Sequence, residues 1–266
     1  MDLGQVAKTR LAASAALRNY DDALCRATLE AMFDGQPEVQ ERYDKRGMEY
    51  CLEDCQYHLT YLEQAVSSGK PELFSDYLQW AHSMLASYNV PENDLALQIR
   101  CLGDVVENYI LDADQVAAIR AMISPGLEVL EEATAGTDFA APARAKLSTL
   151  AQAYLDALLA SNRREATTLI MAAAESGISI KSIYLDVFQP VQQEIGRLWQ
   201  YNKISVAQEH YCTAVTQHAM AQLYPRIFEG ERSGRVVVAA SVAGELHELG
   251  IRMVSDFFEM EGWDSF

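Results

Sequence analysis

From Met1 to about Glu132 the apolar positions recur at steps of three and four, the spacing of one helix face. Ala13, Leu17, Tyr20, Leu24, Ala27 and Ala31 form one such stripe, and Cys51, Leu52, Cys55, Leu59, Leu62 and Ala65 a second. Pro71-Glu72-Leu73 and Pro91-Glu92-Asn93-Asp94 read as helix openings, because proline suits the first turn and acids suit the positive end of the helix dipole. Nothing in this half alternates with period two. The stretch from Ala133 to Pro142 is small, polar and rich in breakers, which predicts a linker. Beyond it the pattern predicts four helices, at about 143–160, 162–175, 179–200 and 205–228. Gly177 should end the second, Pro190 should kink the third, and Ser205 with Gln208 has the S-x-x-Q spacing of a capping box for the fourth. The short Tyr201-Asn202-Lys203 connection makes its flanking helices antiparallel neighbours.

The period then changes. Gly234-Arg235-Val236-Val237-Val238-Ala239-Ala240-Ser241 is a short, continuous, β-branched run, the signature of a strand at about 235–240 buried on both faces in a parallel sheet. Gly244 to Gly250 reads as the turn into an amphipathic helix at about 248–261, and Trp263 to Phe266 as the start of a second strand. One β-α unit leaves strand edges without partners, so a doubly wound α/β domain cut short is expected here.

Composition narrows the function. The 266 residues are 50% hydrophobic, enough to bury two modest cores. The net charge is −17, which repels phosphate backbones and argues against nucleic-acid binding. Residues 1–150 carry 12 basic and 24 acidic side chains, so most of the acidity lies in the first half. The absence of a long apolar run or a basic–apolar leader predicts a soluble, cytoplasmic protein away from membranes. Five irregularly spaced cysteines do not form a disulfide framework. Cys51, Cys55 and His58 share a helix face but lack a fourth zinc ligand, and core packing accounts for them better. Cys212 reads as a bundle-core thiol, and His58 and His82, among aromatics, as packing residues.

Two motifs carry candidate chemistry. In the first, Trp199 is followed nine residues later by Glu209-His210. Trp199 closes one helix and the acid–imidazole pair opens the next, so the antiparallel turn places an aromatic plate near two polar groups. The second is Glu245-x-His247-x-x-Gly250, directly after the strand. Ligands of open α/β sheets sit beyond the carboxyl ends of strands. There Glu245 can hold one ring nitrogen of His247 and orient the other for a metal, while Gly250 removes a side chain where a large flat ligand approaches.

Residues 145–266, with these two motifs in this order, resemble the cobalamin-binding module family: a four-helix cap followed by a flavodoxin-like domain. The W-x9-E-H spacing is similar to the cap of the CarH-type adenosylcobalamin photoreceptors. The resemblance implies that His247 is the cobalt ligand on the lower face. It implies that Trp199, Glu209 and His210 lie over the upper face beside the adenosyl group, with Glu245 and Gly250 completing the cofactor contacts. Two departures stand out. Gln200 occupies the place of a histidine that can take the upper face in known light sensors, and the chain opens with an acidic helical domain rather than a basic helix-turn-helix. The loops for the cofactor's nucleotide tail would lie past Phe266.

The expected architecture is therefore mainly α. An acidic helical domain of unknown role spans 1–135, a four-helix cobalamin cap 143–230 and a partial, truncated flavodoxin-like α/β domain 231–266. The expected function is an adenosylcobalamin-dependent sensor or regulator, probing light and signalling to a protein partner or by self-association through its N-terminal domain. It is expected not to be an enzyme. The competing reading is a corrinoid methyl carrier of a methyltransferase system, and a third is a helical interaction protein whose cofactor site has decayed.

Overall fold

A computed structural model describes residues 3–34, 36–134, 146–228, 232–242 and 245–266. The linker expected up to Pro142 lies outside them from residue 135 onward, as does Gly244. Two compact units emerge, Met1–Ala141 and Pro142–Phe266.

The first unit is helical throughout its described residues: α1 Leu3–Asn19, α2 Asp21–Phe33, the short α3 Pro37–Gln40, α4 Lys45–Ser68, α5 Pro71–Ser87, α6 Glu92–Tyr109 and α7 Ala113–Thr134. Both predicted proline openings fall at helix starts, Pro71 in the first turn of α5 and Pro91 as the cap of α6. The stripe from Ala13 to Ala31 is not one helix. Tyr20 leaves the helical region (φ −108°, ψ 11°), Asp21 and Asp22 open a new first turn, and Tyr20 and Ala31 face solvent. The second stripe is correct: α4 buries Cys51, Cys55, Leu59, Leu62 and Ala65 against a core that includes Leu24, Phe74, Ile99 and Ile119. Helix α7 comes close to α5 at Gly126, where an added Cβ would stand 2.6 Å from buried Leu78.

The second unit begins with α8 Thr149–Leu159 and α9 Arg163–Glu175. A continuous helical rod follows: α10 Ile180–Ile183, a π turn Tyr184–Phe188 and α11 Gln189–Gln200. The proline is taken up by that π turn. Pro190 has no N–H to give to residue 186, and the helix widens just ahead of it so that Gln189 N–H bonds Tyr184 O. Helix α12, Val206–Ile227, completes a four-helix cap around Tyr154, Ile170, Phe188, Ile195 and Leu223. Ser205 caps α12 through Gln208 N–H, but the Gln208 side chain bonds Leu159 O instead of returning to the cap, so half of the expected box forms.

Strand β1, Val236–Val237, helix α13, Leu249–Met260, and strand β2, Asp264–Ser265, follow. β1 and β2 pair in parallel, Val236 with Asp264 and Val237 with Ser265. One edge of β1 therefore has a partner, contrary to expectation. The strand is also not buried on both faces: Val236 is 59% and Val238 75% exposed. A two-stranded pair with one helix cannot cover both faces of a sheet. α13 packs on the cap through Met253 and Phe257, and Tyr184 Oη donates to Asp256 Oδ2 at 2.6 Å. This bond ties the π turn to the β-α-β segment.

Candidate cofactor site

The first motif lies at the turn from α11 to α12. Asn202 adopts the left-handed conformation (φ 52°). Its N–H bonds Trp199 O and that of Lys203 bonds Leu198 O, the paired closure of a Schellman turn. Ile204 is buried beneath the turn and Ser205 starts α12 at once. This tight closure sets Trp199 at one helix end and Glu209-His210 in the opening turn of the next. Trp199 is half-buried against the cap core, and Gln200 is buried.

Glu209 is the better covered of the polar pair, with 24% of its side chain exposed against 76% for His210. Glu209 Oε2 pairs with His210 Nδ1, and Thr213 Oγ1 donates to Glu209 Oε1 at 3.0 Å. The carboxylate thus holds one imidazole nitrogen and leaves Nε2 directed away from the pair.

The second motif repeats this arrangement. Glu245 Oε1 accepts from both the backbone N–H and Nδ1 of His247, each at 2.6 Å. These donors hold the Glu245 carboxyl below its ordinary range, the backbone N–H contributing most and the imidazole next. With Nδ1 bonded to the acid, Nε2 lies on the far side of the ring, and 96% of the His247 side chain is exposed. Gly250 lies in the first turn of α13, and a Cβ there would meet nothing within 4 Å. No packing within the chain requires a glycine at that position.

Among the described residues no hydrogen bond or ion pair joins the Glu209–His210 pair to the Glu245–His247 pair. Each motif is locally assembled. Each motif offers an acid-paired imidazole, the second with an open glycine nearby and the first with an aromatic ring at the preceding helix end. That donor set fits a planar metal complex taking a single axial nitrogen, and no group of three or more metal-binding side chains occurs among the described residues. The zinc reading of Cys51, Cys55 and His58 has no support from such a group. Cys51 and Cys55 are core residues, and His58 is hydrogen-bonded to Tyr77 and Gln98. Burial pushes the Cys212 thiol up to about 11, in keeping with a bundle-core residue.

Sequence reasoning missed two arrangements. One is the Tyr184–Asp256 bond. The other is a row of polar side chains behind Glu209, formed by Thr213, Gln192, Thr216 and Tyr154. Only the i, i+4 spacing of Glu209 and Thr213 signalled the second in the sequence.

The second unit thus joins a helical cap to a β-α-β segment that carries an acid-paired, exposed histidine. Residues 150–224 match the family described as B12 binding domain. The match supports a cobalamin-binding module in this stretch, with cobalamin as the cofactor. Trp199, Glu209 and His210 fall within the matched residues, while Glu245, His247 and Gly250 follow them. Residues 2–161, more than half of the chain, match the family described as phycobilisome protein, and the chain belongs to that family. The match covers the described residues of the first unit, whose role the sequence alone left open. Among curated proteins none matches the chain.

Proposed function

We propose that the protein is an adenosylcobalamin-dependent light sensor whose phycobilisome-family unit passes the signal to a protein partner or to another copy. The observation that carries this reading is the Glu245–His247 pair, which presents one Nε2 lone pair at the start of α13. His247 would ligate cobalt, and Glu245 would fix its tautomer and raise its basicity. Gly250 would let the ring approach. Trp199 would exclude water from the opposite face, with Glu209 and His210 beside the adenosyl group. Bound adenosylcobalamin would supply a cobalt–carbon bond that green light breaks.

Trp199, Glu209 and His210 would touch the adenosyl group before its loss and not after it. That difference in contact is what a ligand needs to shift a two-state equilibrium. In this reading β1, α13 and β2 belong to a flavodoxin-like, doubly wound segment, and the protein works in the cytoplasm without nucleic acid, membrane or catalysis of its own. No described helix is long and apolar enough to cross a membrane, and the net charge of −17 opposes nucleic acid.

The test is a comparison of adenosylcobalamin and methylcobalamin binding to wild type and Trp199→Ala. The sensor reading expects a preference for the adenosyl form that Trp199→Ala erodes. Equal binding of the two forms, with no effect of the substitution, would favour a corrinoid methyl carrier.

A further inference from the structure

Helices α9 and α12 lie side by side and are tied at both ends. Tyr211 Oη donates to Ser161 O at 2.8 Å at one end, and Arg226 Nη1 to Ala174 O at 3.0 Å at the other. Between the ties their outer faces form an open cavity of about 610 Å³. Arg163, Arg164 and Thr167 line it from α9 and His218 and Gln222 from α12, while Met171 and Ala172 add apolar surface. None of these residues belongs to the Trp199 or the Glu245 motif.

The two arginines differ from others in the chain. Arg26, Arg42, Arg100, Arg120 and Arg252 each hold a carboxylate. Among the described residues no hydrogen bond or ion pair engages the side chain of Arg163 or Arg164. Their neighbour Glu165 is taken by the helix cap, where Asn162 Nδ2 donates to Glu165 Oε2 at 2.7 Å. Three and four residues beyond the arginines stand Ala166, Thr167 and Thr168, so no carboxylate follows at helical spacing. Glu175, the acid in the lining, lies about 16 Å along the helix from Arg164. In a chain of net charge −17, two adjacent guanidinium groups kept clear of carboxylates make a local positive site.

A guanidinium presents its N–H donors as a planar fork that matches phosphate oxygens. Gln222 Nε2 donates to His218 Nε2 at 2.7 Å, which puts the ring proton on Nδ1 as a further donor, and the Thr167 hydroxyl adds another. The cavity is much larger than one phosphate and has the size of sites for small organic ligands. A polyanion would meet the acidity of the rest of the chain, which restricts the ligand to a small molecule. We propose that the α9–α12 cavity binds a phosphorylated small molecule, with its phosphate on Arg163 and Arg164 and its organic part against Met171 and Ala172. This site is separate from the proposed cobalamin site.

The test is a titration of the cofactor-free chain in low salt with AMP, glycerol phosphate and inorganic phosphate, followed by amide chemical shifts. Saturable shifts confined to α9 and α12 are expected, with at least one ester binding more tightly than inorganic phosphate. Arg163→Gln and Arg164→Gln should each weaken ester binding about tenfold, the loss of a charged hydrogen-bond partner. Lys181→Gln, outside the cavity, should leave it unchanged. Ala172→Phe keeps both charges but fills the cavity, so it should weaken the ester more than inorganic phosphate. Circular dichroism confirms the fold of each variant. Cobalamin carries a phosphodiester of its own, so adenosylcobalamin is added to the ester-saturated chain, where the ester shifts should persist. Shifts that do not saturate, equal losses in Lys181→Gln, displacement by adenosylcobalamin, or tighter binding of tetraglutamate than of either ester would overturn the proposal. Ester shifts that persist in a chain unable to bind cobalamin would support the cavity and count against the light-sensor reading alone.

Discussion

Burial leaves His58 neutral, and its neighbours are arranged for that state. Tyr77 Oη donates to Nδ1 at 2.7 Å, Nε2–H donates to Gln98 Oε1 at 3.2 Å, and Gln98 Nε2 continues to Cys51 O. Desolvation holds the imidazole down at about 4. An unfolded histidine titrates near ~6.5, so the unfolded chain binds the extra proton between the two values. Stability from this group is complete above pH ~6.5 and is lost as the pH falls toward 4, a total of about 3 kcal/mol. Asp54, raised to about 6 by burial and by Glu53, acts with the opposite sign, favouring the fold as the pH falls from about 6 toward the ordinary carboxylate value. Chemical denaturation from pH 7 to 4 should show the acid loss shrink in His58→Gln and steepen in Asp54→Asn. His247, in contrast to the buried His58, is exposed and pairs with one acid, Glu245. His247→Ala and Glu245→Gln should each weaken cobalamin binding, by ~10–100-fold for the alanine and at the lower end of that range for the glutamine, read by spectral titration. Unchanged titrations would make His247 an ordinary loop residue.

Among the elements, the helices were the most legible. Gly177, Ser205, Pro71 and Pro91 mark boundaries because capping and proline chemistry act within one turn. Tyr20 misled the reading because apolar period continues through a break that only backbone angles record. Pro190 marks the place of the π turn, whose widening the sequence did not reveal because a widened turn and a plain bend have the same sequence signal. The exposed β1 departed from its valine-rich pattern because burial depends on what covers a strand, not on the strand itself. The contact of α5 with α7 gives an element-scale prediction. Gly126→Ala forces a methyl group into buried Leu78 and Phe74 and should cost about 1–3 kcal/mol, measured by thermal melting of the chain. Gly196→Ala, with nothing within 4 Å, should be neutral or slightly stabilising.

At the scale of the whole molecule, the two family matches meet at α8, since residues 150–161 belong to both. The two candidate motifs stood out in the sequence because each sets particular residue types at a fixed spacing. The phycobilisome-family unit did not, because a helical core tolerates many apolar residues at each buried position and leaves no short motif. The Glu245–His247 pairing was expected from the spacing of the two residues, whereas the polar row behind Glu209 emerged only from the fold. The most direct test is the absorption spectrum of the protein loaded with adenosylcobalamin and passed through gel filtration, in darkness and after green light, for wild type and His247→Ala. The account predicts retained corrinoid, a dark spectrum altered by His247→Ala, and a change in the wild-type spectrum on illumination. Loss of corrinoid on the column, or a wild-type spectrum matching the free cofactor and His247→Ala alike, would contradict it.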